Sequence, residues 1–300
     1  MATTTANTKL RHNEYYGQQS TLDDLYARSL KGAKFNNLYE KIVEENNILL
    51  AYRNIKANTG SKTKGTDGLT IKDISDRTNH QVITMVKGRL RHYRPQSIRR
   101  VEILKDNGKL RPLGIPTMSD RLIQQCILQI LEPICEAKFH NHSYGFRPNR
   151  STEHAKAMMH KMINHQHLHF VVDIDIKGFF DNVDHGKLLK QLWTMGIQDK
   201  NLLCIISAML KAEIERLGIP SKGVPQGGLC SPLFSNVVLN ELDWWISDQW
   251  ESFETLYPYS DNSGKLKLIR KGSELKECYI IRYADDCAPR RRVQATRIVA

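Results

Sequence analysis

Patterned cysteines and long apolar runs are both missing from this sequence. The six cysteines, Cys126, Cys135, Cys204, Cys230, Cys278 and Cys287, include no CxxC pair. That argues against a thiolate zinc cluster or a disulfide framework, and for reduced thiols in a cytosolic protein. No apolar stretch approaches the ~20 residues a membrane span needs. The opening MATTTANTKLRHNE has no apolar segment of signal-peptide type, so neither a membrane partner nor export is expected. Acidic residues are in deficit as well: 32 Asp plus Glu against 44 Lys plus Arg leave a formal charge of +12. Such an excess favours a polyanionic partner, nucleic acid before an anionic membrane surface. A well-solvated basic surface accounts for it equally well.

What is present suffices for a sizeable core and two subdomains in 300 residues, 40% of them hydrophobic. Residues 1–20 are polar, aperiodic and expected to be mobile. STLDDLYARSL predicts a helix capped by Ser20 or Thr21, and the apolar spacing from Asn37 to Ala57 predicts a longer one. GRLRHYRPQSIRR, Gly88 to Arg100, is densely basic. VEILKDNGKLRPLGIP predicts a hairpin turning at Asp106, Asn107 and Gly108. DRLIQQCILQILEPICEAKF predicts an amphipathic helix, with Ile123, Ile127, Ile130 and Ile134 on its buried face. In the Met-rich helix STEHAKAMMHKMI the methionines read as core filler. His160, His165, His167 and His169 lack a carboxylate or cysteine among them, which disfavours a metal there.

FVVDIDIKGFFDNV predicts a buried strand from Phe170 to Ile176, and ECYIIRYADD a second one. Between them, two helices are expected, at 186–195 and 200–215. A third follows GVPQGGLCSPLF, with Ser231 as cap, Pro232 at its first turn and a stripe of Phe234, Val238, Leu242 and Trp245. Residues 251–277 read as a polar insertion whose alternating KLKLIRK suggests an exposed hairpin.

Asp285 and Asp286 alone would be an ordinary polar turn. Asp175 ends the earlier apolar strand, however, and an acid at the end of a buried strand is costly without compensation. If the two strand ends lie side by side, three repelling carboxylates gather, and divalent cations are the usual remedy.

Six motifs stand in order: KGTDGLT (Lys64 to Thr70), LRPLGIPTMSDRLIQQ (Leu110 to Gln125), YGFRPNRSTEHA (Tyr144 to Ala155), DIKGFFD (Asp175 to Asp181), GVPQGGLCSPLFSN (Gly223 to Asn236) and YADD (Tyr283 to Asp286). Together they resemble reverse transcriptases, most closely those encoded by bacterial group II introns, over about Thr21 to Asp286. The YGFRPNRS block favours that branch over retron, diversity-generating and CRISPR-associated enzymes.

The resemblance implies an α/β right-hand polymerase fold, with helical fingers at 21–165, a palm sheet at 166–286 and no thumb. It implies RNA-directed DNA synthesis with two Mg²⁺ ions on Asp175, Asp285, Asp286 and the carbonyl of Ile176. Lys105 and Arg111 match residues that grip the dNTP triphosphate. Phe180 matches a ring that excludes a 2′-hydroxyl, and Gln226 and Gly227 a backbone approach to the template–nucleotide pair. Arg89, Arg91, Arg94, Arg99 and Arg100 are expected to face RNA phosphates, with Arg147 against the template. Implied partners are intron RNA, RNA template, DNA primer and dNTP, in a cytoplasmic ribonucleoprotein active in splicing and retrohoming. The rival reading is an RNA-binding maturase module without polymerase activity. Residues 287–300, CAPRRRVQATRIVA, depart from the family's apolar return strand, and Pro289 with three arginines is not expected to fill a central strand. An uncovered palm would favour weak self-association.

Overall fold

Local capping chemistry punctuates the chain. The computed structural model describes residues 10–104, 108, 110–166, 168, 170–287 and 290–291. In chain order the helices are α1 (His12–Tyr15), α2 (Gln19–Leu30), α3 (Leu38–Ile42), α4 (Glu45–Ala57), α5 (Ile71–Ser75), α6 (Asn79–Arg91), α7 (Met118–Glu136), α8 (Thr152–Asn164), α9 (Phe179–Asn182), α10 (His185–Thr194), α11 (Lys200–Leu210), α12 (Ser231–Asp248) and α13 (Asn262–Gly272). The strands are β1 (Arg99–Leu104), β2 (Leu110–Ile115), β3 (Phe170–Val171), β4 (Ile174–Asp175), β5 (Cys278–Tyr279), β6 (Arg282–Tyr283), β7 (Asp286–Cys287) and β8 (Arg290–Arg291). Thr78, Thr117, Ser151, Asp184 and Asp199 each cap the helix that follows by accepting a first-turn N–H.

The chain divides into two compact units, Met1–Lys138 with Phe180–Ser231, and Phe139–Phe179 with Pro232–Ala300. These units cut the sequence along different lines from the expected 21–165 and 166–286. The first is organised around α7, where Ile123, Cys126, Ile127, Ile130 and Ile134 are fully buried. Buried polar groups beside α7 find partners within the unit. Gln129 donates to the Asn47 carbonyl at 2.7 Å, and the Ser29 hydroxyl to the Ile134 carbonyl at 2.8 Å. β1 and β2 form the expected antiparallel hairpin, from Arg99 opposite Ile115 to Leu104 opposite Leu110.

The second unit buries Met162, Leu168, Trp250, Ile280 and Ile281 in one cluster, with Met158 and Met159 packed against it. It carries two small antiparallel sheets, ordered β3-β8-β5 and β4-β7-β6.

Four expectations are corrected. Within the supposedly mobile start, His12–Tyr15 is helical; His12 contacts the Asn54 side chain at 3.2 Å and Arg53 covers the Tyr15 ring. The strand from Phe170 to Ile176 is broken into β3 and β4, and Phe170, Val171 and Val172 are 46%, 50% and 44% exposed. β-Branched content favours extended backbone without guaranteeing burial. KLKLIRK lies in helix α13, because Asp261 accepts from the Ser263 and Gly264 N–H groups and Leu266 and Ile269, three apart, reach the core. Finally, Arg290 and Arg291 occupy the middle strand of the β3-β8-β5 sheet. Pairing there uses main-chain groups, which arginine supplies as well as valine does. Ala288, Pro289 and 292–300 lie outside the described residues.

Candidate active site

Asp175 and Asp286 meet across one rung of a sheet. β4 and β7 pair antiparallel with Asp175 directly opposite Asp286. β7 is paired on its other edge with β6, Tyr283 opposite Asp286, so Ala284 and Asp285 form a two-residue turn. Directly opposed residues hold their Cβ atoms about 4.5–5.5 Å apart, and like charges so placed repel. The Asp286 carboxyl is accordingly pushed above the usual carboxylate range, by partial burial first and then by Asp285, Asp175 and Asp173. An all-oxygen donor set under mutual repulsion fits a hard divalent cation. Ile176, half-buried, follows directly on β4.

The turn itself is strained. Ala284 has φ of 59° at a hairpin position that favours glycine. Arg282 holds it there. Its guanidinium is fully buried and donates to the Ala284 carbonyl at 2.7 Å, to Asn236 Oδ1 at 2.8 Å, and to both carboxylate oxygens of the equally buried Asp243 at 2.7–3.0 Å. Asn236 in turn donates to the Gly145 carbonyl at 2.9 Å. A Cβ on Gly145 would stand 2.1 Å from the Ala284 nitrogen, so only glycine lets this loop back the turn. The Arg282 N–H also donates to the His142 carbonyl, and the Tyr144 N–H to the Arg282 carbonyl. Sequence reasoning missed this network. Its signal was Asp243, an acid beside the expected apolar stripe of α12. The face that is buried includes Asp243, while Trp245 of the expected stripe is exposed, and Arg282 supplies the counter-charge.

Beside Asp286 lies a cavity of about 310 Å³ lined by Lys156, Met159, Asp173 and Tyr283 among others. Neither Lys156 nor Asp173 was singled out from sequence.

The remaining candidates, Arg147 apart, belong to the first unit. Arg111 is on β2 opposite Ile103, while Lys105 lies outside the described residues. Phe180 is buried, and its carbonyl accepts from Val224 N–H at 2.8 Å. The Gln226 carbonyl accepts from Gly114 N–H at 2.6 Å. Gly227 has φ of 117°, and a Cβ there would meet the Gly114 oxygen at 2.5 Å. The glycine is thus needed against β2 itself. Gln226 also lines a cavity of about 330 Å³ with Arg100, Asp181 and Lys222.

Among the arginines, Arg91, Arg94 and Arg99 are exposed and Arg100 half-buried. Two expectations turn inward. Arg89 pairs with the buried Asp120 at 3.0 Å and donates to the Arg94 carbonyl at 2.9 Å. Arg147 is 7% exposed and donates to the His140 and Ser143 carbonyls at 2.6 and 2.8 Å. Arg89 thus ties α6 to α7 and to the loop after α6, and Arg147 braces its own loop, which leaves both guanidiniums poorly placed to reach RNA.

Residues 103–288 match the family model for reverse transcriptase (RNA-dependent DNA polymerase). Protein YkfC of Escherichia coli K12 is 34% identical, over 84% of this chain and 70% of its own length. The group II intron-encoded protein LtrA of Lactococcus lactis subsp. cremoris is 38% identical, over 71% of this chain and 35% of LtrA. A putative COX1/OXI3 intron 1 protein of Saccharomyces cerevisiae is 30% identical, over 77% and 27% respectively. The chain thus spans about a third or less of these two intron proteins. The mixed helix-and-sheet architecture is that of an α/β fingers-and-palm domain. The chain belongs to the reverse transcriptase family, on its group II intron-encoded, maturase-related branch.

Proposed function

We propose that this chain is the catalytic segment of a group II intron-encoded protein, extending a DNA primer on an RNA template within an intron ribonucleoprotein in the cytoplasm. The observation that carries this is the direct opposition of Asp175 and Asp286 across β4 and β7, with Asp285 in the adjoining turn. Asp175, Asp285, Asp286 and the Ile176 carbonyl would hold two Mg²⁺ ions, which when bound supply activation of a 3′-hydroxyl and neutralisation of a leaving pyrophosphate.

The protein's own contribution is positioning. Arg282 and Gly145 keep the Asp pair aimed by fixing Ala284. Lys105 and Arg111 on the hairpin would grip the triphosphate. Phe180 would form the floor beneath the incoming sugar. Gln226 and Gly227 would set the shape of the template–nucleotide cleft from their anchorage on Gly114. Arg91, Arg94, Arg99 and Arg100 would neutralise phosphates of the template and of intron RNA, giving affinity without base readout.

Primer extension on an RNA template with Mg²⁺ tests the reading. Asp175→Asn and Asp285→Asn should each abolish extension and leave RNA affinity within about twofold, since a lost ligand disables the two-ion arrangement without touching the basic surface. Clear residual synthesis by either variant refutes the triad. RNA binding without extension by the unaltered chain would favour the maturase module instead.

A further inference from the structure

We propose that His140, His142 and Glu251 form a second metal site, for a divalent transition-metal ion of the Zn²⁺ class. The two histidines flank Asn141 in the loop leading to SYGFRP, and Glu251 follows the C-terminus of α12. All three belong to the second unit. Among the described residues they are the group whose ligand atoms converge, all within 4.8 Å of one another.

Glu251 Oε2 stands 3.7 Å from His140 Nε2 and 3.7 Å from His142 Nδ1. That is too long for a hydrogen bond. Both Glu251 Oε2 and His142 Nδ1 are buried and lack any hydrogen-bond partner. Orphaned polar atoms facing a common point are costly, and a shared ligand would satisfy them. Tetrahedral zinc with bonds of about 2.0–2.1 Å holds neighbouring donors about 3.3–3.4 Å apart, so a modest contraction closes the site. Two imidazoles and one carboxylate select Zn²⁺ and its neighbours over Mg²⁺.

The surroundings keep both imidazoles uncharged. Burial first, then Arg147 and Arg282, depresses His140 to about 4. Burial and the neighbouring His140 do the same to His142. Both rings are therefore neutral at physiological pH, and burial pushes the Glu251 carboxyl up, a shift that a bound cation would reverse. The His140 backbone is anchored by Asn240 Oδ1 at 3.0 Å, and Trp244 meets its ring edge-on at 4.9 Å. Glu251 is the most open of the three, with 29% of its side chain exposed, and a water is the expected fourth ligand.

Two features oppose the ion. The His142 N–H donates to His140 Nδ1 at 3.2 Å, which places the His140 proton on Nε2. Ligation through Nε2 moves that proton and gives up one long hydrogen bond. The nearby guanidiniums repel a cation, although Arg282 is neutralised by Asp243. Micromolar rather than nanomolar affinity is expected. The ion would tie the loop bearing Gly145 to the end of α12, reinforcing the join that Asn236 and Asp243 already make with that loop and the catalytic turn.

The test titrates Zn²⁺ into the chelator-stripped full chain against a chromophoric competitor, with excess Mg²⁺ to occupy the aspartates. One Zn²⁺ per chain is expected, weakened at least tenfold by Glu251→Gln and by His142→Ala. A His160→Ala/His165→Ala variant should bind as the parent does. Zn²⁺ should raise the thermal midpoint of the parent but not of Glu251→Gln. Co²⁺ should give the visible bands of four-coordinate geometry in the parent. If His142→Ala does not fold, the near-isosteric Glu251→Gln and the Co²⁺ spectrum decide. Zinc binding equal in the parent and Glu251→Gln, no zinc binding by the parent, or loss of binding in His160→Ala/His165→Ala overturns the proposal.

Discussion

Replacing Arg282 by Met separates what holds the fold together from what aims the active site. Arg282 and Asp243 are each 0% exposed at the side chain, so Arg282→Met strands a carboxylate with no water to turn to. Breaking one partner of such a pair costs about 3–5 kcal/mol. The lost hydrogen bonds to Asn236 and Ala284 belong to the same network and do not add independently. Urea denaturation should therefore show a loss of about 3–5 kcal/mol. Adding Asp243→Leu removes the stranded charge and should recover at least half of it, because apolar replacement of a whole buried pair is often neutral or better. Extension should not recover with it. In the double variant the Ala284 carbonyl still lacks its donor, the strained turn is free to relax, and a displacement of about 1 Å at the carboxylates costs on the order of a hundredfold in rate. Arg282→Lys keeps the charge without the fork and should fall between. The reasoning fails if Arg282→Met loses less than about 1 kcal/mol, or if the double variant regains stability and full extension together.

RNA binding should weaken with salt, and Arg91→Ala with Arg94→Ala should lower the slope of log affinity against log salt by about one to two units; an unchanged slope would place the RNA surface elsewhere. Arg89→Ala should instead lower stability through the buried Asp120 and leave the slope nearly as it was, which paired melts and titrations would separate. Glu132 on α7 is pushed above the usual carboxylate range by burial and then by Glu136. A raised acid keeps its proton in the native state where the unfolded chain has released it, so stability falls as pH rises above about 4.5. Glu132→Gln should therefore stabilise at pH 7 and lose that advantage below pH 4.5, and a gain of equal size at both pH values would contradict the assignment.

Much of the helical framework was written in local chemistry. The α7 stripe, the β1–β2 hairpin and the caps at Ser151 and Asp184 depend on neighbours a few residues away, and such signals are visible in one dimension. The motifs likewise named the family, since their order and spacing survive in the chain itself. Strand partners were another matter. Phe170 to Ile176 reads as one apolar strand, yet its halves join different sheets, because pairing is chosen by which edges folding brings alongside. The two inward-turned arginines carried the same charge in sequence as the exposed ones. Only packing revealed that Arg89 faces Asp120 and Arg147 faces backbone carbonyls. The same holds for the support of the catalytic turn. Arg282, Asp243, Asn236 and Gly145 come from three separated segments, and each has a bland local reading. Their joint role follows from burial, which forces every buried charge and orphaned carbonyl to find a partner wherever the fold supplies one.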